Sequence, residues 1–205
     1  MFLSGIHHKI VTGVLIVAIP LVCILGYYVA QPGNVVLKGY QYNRIVGFFQ
    51  EDNEKAKDLR YQQENSLLAI GSGGLTGKGL DNNDVTSVKN GKLISESHTD
   101  FIFTIVGEEL GFVGCCIVIG LLLLIVVQCI LIGLRAQDLA GRIICCGVAA
   151  QIGFQSFINI GVATGILPNT GIPLPFVSYG LTSLISLYMG IGIVLNIGLQ
   201  PKKYQ

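Results

Sequence analysis

Ser95 to Phe112 reads SESHTDFIFTIVGEELGF and places one histidine and four carboxylates where the chain enters a long apolar run. Charge at the mouth of a membrane span is costly unless it is paired, solvated or used. Thr99 is expected to be an N-cap, with Asp100 in the first turn of the helix that follows. There an acid gains about 0.3–1 kcal/mol from the helix dipole. Glu108 and Glu109 follow about 12 Å further along a helix. Glu109 is read as closing the polar face of Asp100, and Glu108 as its partner or as the partner of a loop lysine.

The rest of the chain fits a membrane setting. Of 205 residues 51% are hydrophobic and 12% charged, against about a quarter charged in soluble domains. Thirteen Lys and Arg nearly cancel twelve Asp and Glu, and most of both lie between Lys38 and Asp100. Such a balance gives no reason to propose nucleic acid as a partner. The expected class is an all-α polytopic membrane protein with about four transmembrane helices and one large extracellular loop. The runs 10–30, 112–134, 139–167 and 181–199 are each near the roughly 20 residues that a crossing needs. The second could begin nearer Asp100. No cleavable signal pattern follows the first.

Four spans put both termini on one side. His7, His8 and Lys9, then Arg135 and Arg142, then Lys202 and Lys203 mark that side as cytoplasmic. The loop 31–99 is then extracellular. Gln151, Gln155 and Asn159 recur at four-residue spacing in the third run, so they share a face and either bond to neighbouring helices or line a substrate groove. Cys23, Cys115, Cys116, Cys129, Cys145 and Cys146 all lie in apolar runs and lack metal spacing. They read as small packing residues.

Within the loop, ENSLLAIGSGG predicts a short amphipathic helix from Asn65 or Ser66 that stops at glycine. GSGGLTGKG is not a phosphate-binding P-loop, because Ser72 stands where its first glycine belongs and Gly79 follows Lys78. Thr76 also breaks the dinucleotide pattern. What remains is either a plain turn cluster or a set of free amides with Lys78 that could contact a pyrophosphate. LPNTGIPLPFVSYG, residues 167–180, contains Pro168, Pro173 and Pro175, which exclude regular helix through its middle. A re-entrant-like loop over 168–180 could wall a cavity, with Asn169, Thr170, Ser178 and Tyr179 as its polar groups.

Three blocks in order, AIGSGGLTGKG, HTDFIFTIVGEELGFVG and GILPNTGIPLPFVSYG, resemble the SEDS family (shape, elongation, division and sporulation), whose members include RodA and FtsW. The likeness runs from about Tyr42 onward. It implies a peptidoglycan glycosyltransferase that polymerises lipid II, an undecaprenyl-pyrophosphate disaccharide-peptide, at the outer face of the bacterial cytoplasmic membrane. A class B penicillin-binding protein is the implied partner. The family's essential acid falls at Asp100, here the candidate general base. Lys78 and Arg44 are candidates for the pyrophosphate. His98, Glu109, Asn169, Ser178 and Tyr179 are further candidate substrate contacts. No cofactor or protein-held metal is evident, and the pyrophosphate leaves room for a divalent cation.

Ser95 and Leu181 stand where the family pattern has proline and glycine. Members also carry more spans than the four read here, so the chain is expected to correspond to the C-terminal part of the fold, from a truncated or independently started frame. Three functions follow: an enzyme portion in elongation, division or sporulation, a non-catalytic module binding lipid II or a partner, and a lipid transporter. The transporter ranks third, because the first, third and fourth runs have no ionisable groups in their apolar middles.

Overall fold

The computed structural model describes residues 16–17, 20–21, 57–80 and 99–200. Of the first expected span, only Ile16, Val17, Pro20 and Leu21 are described, and all four are helical. The chain divides into two compact units between Arg60 and Tyr61, and residues 61–80 and 99–200 lie in the second.

Four long helices carry the described structure: α1 Lys57–Ser72, α2 Ile102–Arg135, α3 Leu139–Ala163 and α4 Leu181–Leu199. No strand occurs among the described residues. α2, α3 and α4 are long and apolar enough to cross a membrane. Large apolar side chains such as Leu124, Phe157 and Tyr188 stand exposed on them. Such surface suits hydrocarbon, where a helix satisfies its own backbone.

α2 and α3 are joined by the short link 136–138, where Arg142 Nε donates to the Ala136 carbonyl at 3.1 Å. Near that link the helices meet over small residues. Cys129, Cys145, Ala149 and Val194 form one buried cluster. A Cβ on Gly133 would press on Cys145, and one on Gly141 or Gly198 on Ile197 or Ile132. Close approach through small side chains is the usual basis of helix packing in membranes, and the two buried cysteines serve it as free thiols.

α3 stops at Ala163, short of the expected Leu167. The reason is Gly165, which takes φ 72°. The Ile166 N–H reaches the Gly161 carbonyl at 2.8 Å, and the Gly165 N–H reaches Val162 at 3.1 Å. That pairing is a Schellman motif, which ends helices at glycine. α1 satisfies further carbonyls there. Gln63 Nε2 donates to Val162 (2.9 Å) and Leu167 (2.7 Å), and the Ser66 hydroxyl donates to Ala163 at 2.8 Å. α1 is longer than the helix expected from Asn65 and is fixed to α3 by these polar bonds.

Candidate functional site

Two peptide hydrogen bonds are missing from the middle of α2. In an unbroken helix Phe112 and Val113 would donate to Glu108 and Glu109, four residues back. Gly111 takes φ 66° and ψ −164°, which parts the helix there. The glycine-rich stretch 73–80 fills the gap. Phe112 N–H donates to Gly74 at 2.9 Å and Val113 N–H to Leu75 at 3.2 Å. Lys78 N–H and Gly79 N–H donate to the Glu108 and Glu109 carbonyls, each at 3.0 Å. Four backbone bonds to this strap thus replace two within the helix. A Cβ on Gly73, Gly77 or Gly111 would overlap backbone of the opposing segment. The glycines of GSGGLTGKG therefore serve a backbone-to-backbone crossing, and two of its amides are spent on carbonyls of α2.

The Lys78 side chain follows the same path. Its Nζ lies 2.9 Å from Glu108 Oε1, with the glutamate side chain 3% exposed. Of the two readings of Glu108, pairing with a loop lysine is the one realised. A buried carboxylate deprived of its cation is left with a desolvation penalty. Lys78→Ala is expected to destabilise the strap by roughly 1–3 kcal/mol, whereas Lys78→Ala with Glu108→Leu should recover most of that loss. Chemical denaturation of the two variants in detergent measures the difference, and equal losses would contradict the pairing.

Asp100 sits two residues before α2, in the turn 99–101. Phe101, not Thr99, occupies the N-cap position, and it makes no side-chain cap bond. The helix therefore begins later than the Thr99 position expected for its cap, and the Phe101 ring turns inward. Phe101 is fully buried against Ala69 and Val162, with Ile158 and Leu167 around them. Docking that ring draws the turn under α1 and starts the helix later.

Two side chains hold the turn by its main chain. Asn159 Nδ2, from α3, donates to the Asp100 carbonyl and to the Ile172 carbonyl, both at 2.8 Å. Ser178 Oγ donates to the Thr99 carbonyl at 2.7 Å and accepts from Leu174 N–H at 2.8 Å. The segment 164–180 is irregular, as its prolines require. It is packed down by Leu174, which is buried with Phe103, Cys115, Leu122 and Ala163. Phe176 takes φ 62° and sets its ring edge-on to Tyr188, centroids 5.7 Å apart. A left-handed phenylalanine is strained by about 1–2 kcal/mol, and its packing offsets that cost.

Ser178 thus meets the Asp100 turn at the head of α2, Lys78 and Glu109 lie further along at its break, and Asn169 lies in the 164–180 segment. Asp100 and Glu109 are half-buried, whereas Asn169 and Ser178 are buried. Asn169 Oδ1 accepts from Gly171 N–H at 3.2 Å, which shapes the loop. Tyr179 is 74% exposed. Arg44 and His98 lie outside the described residues. No group of three His, Cys, Asp or Glu side chains suited to a metal occurs among the described residues. Neither the break at Gly111 nor the tie from Asn159 to the Asp100 turn is declared by the sequence. The glycine spacing and the polar stripe on α3 were their only traces.

The comparisons with known proteins agree with one another. Residues 1–203 match the FtsW/RodA/SpoVE family, described as cell cycle protein. A probable peptidoglycan glycosyltransferase FtsW from Geobacter sp. (strain M18) is 36% identical over 197 residues, covering 96% of this chain and 50% of the relative. The peptidoglycan glycosyltransferase MrdB of Escherichia coli (strain K12) is 34% identical over 197 residues, with the same coverage. Among solved structures, one described as "Structural coordination of polymerization and crosslinking by a peptidoglycan synthase complex" contains a chain that superposes with a TM-score of 0.65. That chain is 27% identical, and the match covers 93% of this chain and 50% of the other. The chain spans about half the length of the curated relatives it matches.

Proposed function

The chain belongs to the FtsW/RodA/SpoVE family of cell cycle proteins, and from that premise we propose that it forms the acid-bearing part of a peptidoglycan glycosyltransferase. The substrate is lipid II, met at the outer face of a bacterial cytoplasmic membrane with both termini on the cytoplasmic side. The reading is supported most by one observation. Asp100 lies in a turn fixed by two other segments, immediately ahead of a helix long enough to cross the bilayer. A carboxylate so placed meets a substrate whose sugars lie in water and whose anchor lies in lipid.

Polymerisation requires an acceptor sugar hydroxyl to attack an anomeric carbon while lipid pyrophosphate leaves. Asp100 takes the hydroxyl proton in this scheme, which is general-base work. The pyrophosphate needs cationic or amide stabilisation. Lys78 is paired to Glu108, so it serves the pyrophosphate by exchanging partners, with Arg44 as the second cation. A divalent cation could share that load. His98, Glu109 and Tyr179 are further substrate contacts, with Tyr179 the most accessible of the described residues among them. Asn169 and Ser178 act by holding the loop that walls the site. A class B penicillin-binding protein is the proposed partner, supported by the likeness to a chain of a synthase complex that couples polymerisation to crosslinking.

The test is lipid II polymerisation in liposomes by this chain alone and by the chain joined with the complementary half of the Geobacter relative. The pair is expected to make glycan strands, and Asp100→Ala to stop them. No polymer from a folded pair would favour the second reading, a lipid II- or partner-binding membrane module.

A further inference from the structure

Thr99 and Asp100 present consecutive main-chain carbonyls, and each is held by a different element. The first belongs to the peptide plane before the Asp100 Cα and the second to the plane after it. Fixing both planes fixes φ and ψ at Asp100, and with them the direction in which its side chain leaves the backbone. Ser178 controls the first plane from the 168–180 loop. Asn159 controls the second from α3.

We propose that Asn159 is a positioning residue for Asp100, acting through the main chain, and that it sets the carboxylate and the 168–180 loop in one register. This rests on the reading of Asp100 as the base. The amide has two N–H groups, and both are used: one on Asp100 and one on Ile172, thirteen residues from Asn159 along the chain. Asn159 is 1% exposed, so water does not compete for either bond. Its Oδ1 is buried with no partner among the described residues. A buried acceptor left unmet is costly, and an apolar side chain would avoid that cost. The amide's favourable contribution here is its pair of donors. Because both go to main-chain oxygens, the clamp is independent of the side chain at position 100. A shift of the loop at Ile172 is thereby felt at Asp100, and loop and acid move as a unit.

The test uses the chain paired with the complementary half of the Geobacter relative, and two readouts. The first is hydrogen exchange, which needs no activity. Asn159→Leu is expected to speed exchange in peptides covering 99–104 and 170–178 by about tenfold or more, with 139–156 unchanged. The second is turnover. A displaced base is expected to lower kcat about 10- to 100-fold, with KM for lipid II little altered, as small misplacements of a reacting group do. If Asn159→Leu also loosens 139–156, Asn159→Ala carries the same comparison without added bulk. Unchanged exchange over 99–104, or loosened exchange with wild-type kcat, would overturn the positioning role. A wild-type pair that makes no polymer, with exchange loosened as expected in the variant, would remove the base assignment and leave the clamp standing.

Discussion

Gly111→Ala is expected to detach the glycine strap from α2 and allow the helix to close. Two effects add. The conformation at Gly111, φ 66° with ψ −164°, lies in a region that essentially only glycine enters, and alanine there costs of order 1–3 kcal/mol. The new Cβ would also strike the backbone at Leu75 and Gly77. Once residue 111 turns helical, Phe112 and Val113 can donate to Glu108 and Glu109, and the carbonyls that bind Lys78 and Gly79 are taken. Four strap bonds, at about 1 kcal/mol each, are exchanged for two helical ones. The strap should then exchange its Lys78 and Gly79 amide hydrogens rapidly and become cleavable by trypsin after Lys78. α2 should stay helical, because every backbone group in it regains a partner. Gly77→Ala attacks the same crossing from the other side, since Gly77 has φ 79° and faces the Glu109 carbonyl. Wild-type protection of Lys78 and Gly79 in both variants would show that the crossing tolerates a side chain.

This crossing also explains what the sequence could and could not disclose. The membrane class was legible because it rests on composition, and composition survives any local rearrangement. The apolar run after Gly111 was legible for the same reason, and α2 beyond the break is about 36 Å long at 1.5 Å per residue. The helix end at Ala163 was not, since Gly165 looks like any other glycine among apolar neighbours. GSGGLTGKG was legible as backbone without side chains, but its partner was not. Nothing local to residues 73–80 says that the carbonyls it meets lie some thirty residues on. Lys78 and Glu108 had the same ambiguity. Opposite charges imply a pair only when the fold brings them together, and here the strap does so. Thr99 shows the opposite error. Its local signal pointed to a cap, but the helix begins two residues later, with the fully buried Phe101 at the cap position. Asn159 was legible as a polar residue facing protein. That it faces the Asp100 carbonyl follows from tertiary contact alone.

Asp100→Asn separates the chemistry from the scaffold more sharply than any other change in the site. The clamp acts on the main-chain carbonyl of residue 100, so the amide variant keeps both its volume and its hold on Asn159. Exchange over 99–104 should therefore match the wild type. What the variant loses is a carboxylate able to take a proton. Under the proposed role, lipid II polymerisation by the joined halves should fall about 10²–10⁴-fold, which corresponds to roughly 3–5 kcal/mol of barrier. Asp100→Glu restores the carboxylate one methylene further out and should fall between the two, because a base must reach the hydroxyl as well as accept its proton. The order wild type, Asp100→Glu, Asp100→Asn is the signature of a base. A capping role would instead make asparagine, itself a good cap, only a mild loss. Asp100→Asn with turnover within about threefold of wild type would therefore move the base elsewhere in the site, and half-buried Glu109 would be the next residue to replace.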